Sequence, residues 1–213
     1  MSAPRRTPRD ERRRRLGQNF LRPDLAAALV AEAAFEAGDL VVEIGAGRGA
    51  CTLALARRGV HVIALERDPH WAEQLRRAAR QEGLAHVSVV CCDALRYALP
   101  RRPFRAMGSL PFGATTAMLR HLLDDRRSGL RRADLVVQWE VARKRAAVPP
   151  TTMLSTTWAP WWTFSLGRRL PADSFRPVPA VDAAVLRVTR RVPPLLPDHM
   201  ADAYTDFVRR QWK

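Results

Sequence analysis

The chain has 213 residues, enough to bury a full core, and by length it is one domain with at most a small appendage. Its formal net charge of +15 exceeds what solubility requires and points to a polyanionic partner. All of its basic residues except Lys144 and Lys213 are arginine, whose planar fork suits phosphates and stacked bases, although a GC-rich coding sequence gives the same bias.

Cys51, Cys91 and Cys92 form no CxxC pair and have no histidine cluster at zinc-ligand spacing, so neither a disulfide framework nor a metal site is indicated. They read as small core residues in a reducing compartment. The N-terminus lacks the apolar stretch of a signal peptide and no run approaches the ~20 apolar residues of a membrane span, so a cytoplasmic protein without a membrane segment is expected.

In chain order, residues 1–15 are Arg- and Pro-rich without hydrophobic periodicity. They predict a disordered basic arm: a solvated tail or, ahead of a basic domain, a nucleic-acid contact through Arg12, Arg13, Arg14 and Arg15. Leu25, Leu29, Val30 and Ala33 share a helical face from Pro23 to Ala37, with Gly38 as the stop. Then LVVEI (40–44), HVIALE (61–66), HVSVVC (86–91), FRAMGSL (104–110) and DLVVQWE (134–140) alternate with helical patterns beginning near Ala50, near Pro69 and after Gly113.

Apolar strands alternating with helices predict βαβ units, an α/β doubly wound Rossmann-like sheet covered on both faces. After Pro150, TTWAPWWTFSL (156–166) and AVDAAVLRVTR (180–190) predict two closing strands, an antiparallel hairpin across a long loop. Pro193, Pro194 and Pro197 make a stiff linker. Beyond it Met200, Tyr204, Phe207, Val208 and Gln211 line one side of a helix started by Asp198, the first helix of a small accessory domain.

Glu43-Ile44-Gly45-Ala46-Gly47-Arg48-Gly49 follows the first long strand, and its glycines let the backbone approach a nucleoside-type ligand. The same pattern satisfies a nicotinamide fingerprint. Glu66, 21 residues beyond Gly45, stands where an acid accepts from ribose hydroxyls, and Asp93 puts a second carboxylate at the same sheet edge for an adenine amine.

Ser109-Leu110-Pro111-Phe112 resembles the Asn-Leu/Ile-Pro-Tyr/Phe motif of the ribosomal RNA adenine N6-methyltransferases. The resemblance extends to Gly17-Gln18-Asn19-Phe20-Leu21, the glycine loop, Glu66, Asp93 and the FRPVPAVD segment (175–182), six blocks in the family order. QWEVARKRA and STTWAPWWTF resemble the macrolide, lincosamide and streptogramin B resistance group, of actinomycete type, more than the housekeeping small-subunit dimethyltransferases.

The resemblance implies a methyltransferase domain over residues 16–192, S-adenosylmethionine as cofactor, and methylation of one adenine N6 of large-subunit rRNA by a monomer acting before full assembly. It assigns catalysis to Ser109, Leu110, Pro111 and Phe112, and cofactor binding to Gln18, Asn19, Leu21, Gly45, Ala46, Gly47, Glu66, Arg67, Asp93, Ala94 and Ser109. Phe112, Phe175 and the arginines of the arm are assigned to substrate RNA. Phe175 also reads as a buried aromatic, and Trp158, Trp161 and Trp162 read as core rather than as stacking surfaces.

The chain departs from the motif at Ser109, whose hydroxyl is shorter than the family's asparagine amide and donates as well as accepts. Three other readings stay open. One is a small-subunit dimethyltransferase. A second is a weakly catalytic RNA-binding or assembly protein. The third is a nicotinamide-dependent oxidoreductase, which leaves Asp93 and SLPF unexplained.

Overall fold

The computed structural model describes residues 19–212. The arm, Gln18 and Arg12 to Arg15 lie outside the described residues.

Every residue of β2 (Leu40–Ile44) is buried, as expected of a strand covered on both faces. It is flanked in parallel by β3 (His61–Glu66) and β5 (Phe104–Ser109); β3 pairs on with β4 (Val87–Cys91), and β5 with β6 (Leu130–Gln138). Two antiparallel strands close the sheet, β7 (Trp162–Leu170) and β9 (Ala183–Arg190), to give the order β4-β3-β2-β5-β6-β9-β7. Strand order reverses around β2, so the crevice beyond its C-terminal end is where a ligand site belongs.

Helices fill both faces. One core layer joins α1 (Pro23–Glu32), α2 (Ala50–Ala56) and α3 (Pro69–Gln81) to the sheet through Leu29, Val30, Leu55 and Leu75. Asp68 caps α3 by accepting from His70 N at 3.0 Å, with Pro69 in the first turn. The other layer carries α4 (Thr115–Leu123), α5 (Trp139–Arg145) and α6 (Met153–Trp158); its side chains include Leu119, Leu122, Trp158, Trp161 and Trp162.

The tryptophans are core side chains. Trp158 Nε1 donates to Asp124 at 2.7 Å and Trp162 Nε1 to the Leu123 carbonyl at 3.3 Å, pinning the end of α4.

Several element boundaries differ from the sequence expectation. The entry helix ends at Glu32 rather than near Ala37. Ala34 takes a left-handed φ of 51°, and Arg105 donates to the Ala33 and Ala34 carbonyls at 2.5 and 3.0 Å, capping the helix end. Strand β6 starts at Leu130, and Trp139 and Glu140 open α5 instead of extending it. The expected closing strand at 156–166 is helix up to Trp158, because Thr152 accepts from Ser155 N as an N-cap; the strand begins only at Trp162. Cys91 is exposed rather than a core residue.

A two-stranded sheet pairs β1 (Phe20–Leu21) with β8 (Phe175–Arg176). The final helix, α7 (Ala201–Gln211), buries Ala201 and Val208 and directs the Tyr204 hydroxyl to the Thr156 carbonyl, whereas Met200 and Phe207 are exposed. The packed stripe is thus 201 and 208 with the half-buried Tyr204 between them, rotated from the expected face, and Asp198 lies in a 3-10 turn before the helix without a side-chain cap. Among the described residues no helix is long and apolar enough to cross a membrane, and no group of three or more His, Cys, Asp or Glu is placed to hold a metal ion.

Two contacts fix β2 against its neighbours. A Cβ at Gly108 of β5 would lie 2.3 Å from the Ile44 carbonyl, so Gly108→Ala should lower unfolding stability by about 1–3 kcal/mol in urea titrations. Thr52 of α2 donates to Glu43 Oε2 at 2.5 Å, and Glu43 is 2% exposed. Burial, opposed by the Thr52 bonds and aided by the nearby Glu66, pushes its carboxyl from about 4.5 up to about 8.

The native state therefore keeps a proton that the unfolded chain releases above about 4.5, and this contribution to stability is lost as pH rises toward about 8. Glu43→Gln keeps an acceptor for Thr52 and should flatten that decline. Thermal unfolding from pH 5 to 8.5 should show the variant gaining on the parent as pH rises; parallel curves would contradict it.

Candidate active site

A cavity of about 510 Å3 opens where the C-terminal ends of β2, β3, β4 and β5 meet. Its floor is the turn after β2. Gly45 and Gly47 take φ of 72° and 54°; a Cβ at Gly45 would sit 3.4 Å from the Ser109 carbonyl, and one at Gly47 would sit 2.9 Å from the Phe20 ring. The backbone angle favours glycine at both positions, and at Gly47 the close approach of the Phe20 ring adds to it.

The amides of this turn are already engaged. Gly45 N and Ala46 N donate to the Leu65 carbonyl at 2.9 and 3.0 Å, and Gly47 N donates to Glu66 Oε2 at 2.7 Å. Glu66 Oε1 accepts from Asp68 N at 2.7 Å, so the carboxylate ties the turn to the end of β3 while lining the cavity. Burial raises its pKa, with the two backbone donors pulling the other way. Each oxygen keeps a lone pair, which suits a pair of ribose hydroxyls.

On the adjoining wall, Asp93 Oδ1 accepts from Leu95 N at 3.1 Å and caps the turn holding Ala94. Arg67 is exposed at the rim. On the opposite wall, β5 delivers Ser109, and Leu110 N donates to the Val136 carbonyl at 3.0 Å, fixing the strand exit. Leu110 is buried, while Pro111 and Phe112 are half-buried at the cavity and open a short turn closed by Ala114 N to the Pro111 carbonyl.

The structure thus gathers Asn19, Leu21, Gly45, Ala46, Gly47, Glu66, Arg67, Asp93, Ala94 and the Ser109–Phe112 segment around one space. Phe175 also lines it, yet is only 1% exposed and packs in the core, so it forms wall rather than an open stacking surface for RNA.

Sequence reasoning missed the buried Glu43 and Cys51 beneath the turn; a lone acid in the apolar run LVVEI was the available signal. It also missed Phe20, which covers Gly47 and meets Trp71 edge-on at 5.2 Å, with the Arg48 guanidinium 4.9 Å from both rings. No sequence spacing connects those residues.

The donor set discriminates between ligands. The amides of Gly45, Ala46 and Gly47 are spent inside the protein and are not offered to a dinucleotide's pyrophosphate. S-adenosylmethionine fits better: a carboxylate at each of two strand ends for ribose and adenine, and a close-packed glycine floor leading to Ser109 for the methionine end.

Comparisons with known proteins agree. The chain matches the family described as ribosomal RNA adenine dimethylase over residues 9–212. It is 42% identical over 204 residues to the mycinamicin-resistance protein MyrB of Micromonospora griseorubida, covering 95% of this chain and 64% of that protein. It is 37% identical over 192 residues to an rRNA adenine N-6-methyltransferase of Corynebacterium diphtheriae, covering 90% of this chain and 74% of the relative.

The fold matches the crystal structure of the 23S rRNA methyltransferase ErmE with a TM-score of 0.79 at 31% identity, over 90% of this chain and 78% of that one. The chain spans just under two thirds of MyrB, and 53% of a Saccharopolyspora erythraea relative. A match to nearly the whole described chain, with the glycine turn, Glu66, Asp93 and Ser109–Phe112 around one cavity, places this chain in the ribosomal RNA adenine dimethylase family, whose members depend on S-adenosylmethionine.

Proposed function

We propose that the protein transfers a methyl group to the N6 amine of one adenine in 23S rRNA and so confers macrolide, lincosamide and streptogramin B resistance. The observation that carries the reading is the placement of Ser109–Phe112 on the same cavity as the glycine turn and Glu66. The large-subunit assignment is supported by the name of the 23S rRNA methyltransferase ErmE, and the resistance reading by that of the mycinamicin-resistance protein MyrB.

Adenine N6 is a poor nucleophile because its lone pair is delocalised into the ring. Ser109 Oγ and a backbone carbonyl of the motif accept its two N–H groups and draw the nitrogen toward tetrahedral geometry, freeing the lone pair. Phe112 stacks on the base once it has left the RNA stack. Pro111 fixes its own φ and restricts Leu110, which keeps the turn rigid.

Glu66, Asp93 and the turn at Gly45 to Gly47 hold the cofactor, joined by Asn19, Leu21, Arg67 and Ala94 at its edges; Gln18 belongs with them by sequence. When bound, S-adenosylmethionine supplies the electrophilic methyl. The arginines Arg12 to Arg15 add phosphate contacts. The protein works as a cytoplasmic monomer on large-subunit RNA before the subunit is fully assembled, and the helix α7 begins a small accessory unit after the linker.

The test is transfer of labelled methyl from S-adenosylmethionine to isolated large- and small-subunit rRNA, with mapping of the modified base and its methyl count. Label on an adenine of the large-subunit RNA is expected. Phe112→Ala should cut kcat/KM by about 5- to 150-fold, the equivalent of one stacked base, with cofactor affinity unchanged. Label on small-subunit RNA alone would reassign the substrate, and no label on either RNA would reject the reading.

A further inference from the structure

Arginines crowd the edge of the sheet opposite the cavity. The loop before β5 and the loop before β6 are held together there: Gly129 N donates to the Pro100 carbonyl at 2.8 Å, Phe104 N donates to the Gly129 carbonyl at 3.0 Å, and Arg101 pairs with Asp125 at 3.1 Å. The end of β9 joins them, since Arg190 donates to the Ser128 carbonyl at 2.8 Å and to that of Arg126. The Arg126 guanidinium lies 4.1 Å from the Trp161 ring, and Arg191 N donates to the Trp161 carbonyl at 2.8 Å.

Arg101, Arg102, Arg126, Arg127, Arg131, Arg190 and Arg191 thus share one edge, on which Asp125 and Asp198 are the acids that act on Arg190 and Asp125 pairs with Arg101 and Arg127. Burial first, then Arg131 and Arg126, hold the Arg190 guanidinium below its usual range, while Asp198 and Asp125 oppose. Arg102 and Arg131 are exposed and form no ion pair among the described residues. Concentrating like charge this way is unfavourable without a polyanion to neutralise it.

The edge lies at the far end of β5 from Ser109. The five steps of β5 at about 3.3 Å each put Phe104 roughly 17 Å from Ser109, with Arg102 two residues beyond the strand, out of reach of the phosphates next to a base held at the cavity. We propose that this edge is a second RNA-backbone contact surface, engaging a segment of the substrate RNA remote from the methylated adenine.

The inference rests on the function proposed above. Its test is the double variant Arg102→Glu/Arg131→Glu, compared with the parent on a long large-subunit rRNA and on a short hairpin carrying the target adenine. For the long RNA, KM should rise about tenfold near 0.1 M salt, and the slope of log affinity against log salt should become shallower by about 2, one for each lost phosphate contact. Turnover of the hairpin and cofactor affinity should stay as in the parent, and Arg102→Lys/Arg131→Lys should restore the long-RNA KM.

An unchanged long-RNA KM and salt slope would overturn the proposal, as would equal weakening on both RNAs. A parent that methylates neither RNA would instead overturn the function on which it rests.

Discussion

The approach of β5 to β2 at their C-terminal ends is the contact on which the site depends. Gly108 leaves room only for backbone beside the Ile44 carbonyl, and Gly45 meets the Ser109 carbonyl one step further on. Held at this distance, the floor of the cavity and the Ser109–Phe112 turn form one rigid corner. A Cβ at Gly108 would push β5 away from β2 at this corner, whereas at Gly45 it is the left-handed backbone, with φ of 72°, that a side chain would strain.

Away from this corner the sheet is braced by charge. Asp134 of β6 is 4% exposed and accepts from Arg132 at 2.7 Å through two nitrogens and from Arg187 of β9 at 3.2 Å, with Arg105 of β5 3.6 Å away. Arg105 in turn lies 3.9 Å from the Phe35 ring and caps α1. A single buried carboxylate thereby connects three adjacent strands and the entry helix. Such a carboxylate is tolerated inside because it is fully paired.

Much of the fold was legible in the sequence, because strands buried on both faces are apolar throughout and alternate with helices of distinct period. β2, β3 and β5 fall where LVVEI, HVIALE and FRAMGS stand. The departures have local causes. The tryptophan-rich run splits into helix and strand because Thr152 caps the helical turn that starts at Met153, and apolar content alone cannot express a cap. The buried face of α7 is turned by a fraction of a turn from the periodic pattern because the small Ala201 is the residue that packs, not the larger Met200 or Phe207.

Within the site, the strand-end acids and the two motifs were visible because each sits at a fixed offset from a strand. The lid made by Phe20, Trp71 and Arg48 and the pairing of Leu21 with Phe175 were invisible, since both join segments far apart in sequence.

The engagement of the turn amides by the Leu65 carbonyl and Glu66 bears on life among competing metabolites. ATP, NAD and their relatives share the adenosine half of the cofactor and are abundant in cells. A pocket that recognises adenosine only through acceptors and apolar walls would admit any of them. Here the carboxylates of Glu66 and Asp93 disfavour a phosphate chain beside them, Arg48 and Arg67 being the cations on the same cavity, and the amides of Gly45, Ala46 and Gly47 are already engaged. The same hydrogen bonds that hold the turn in shape therefore withhold three backbone donors that a phosphorylated nucleotide would otherwise use.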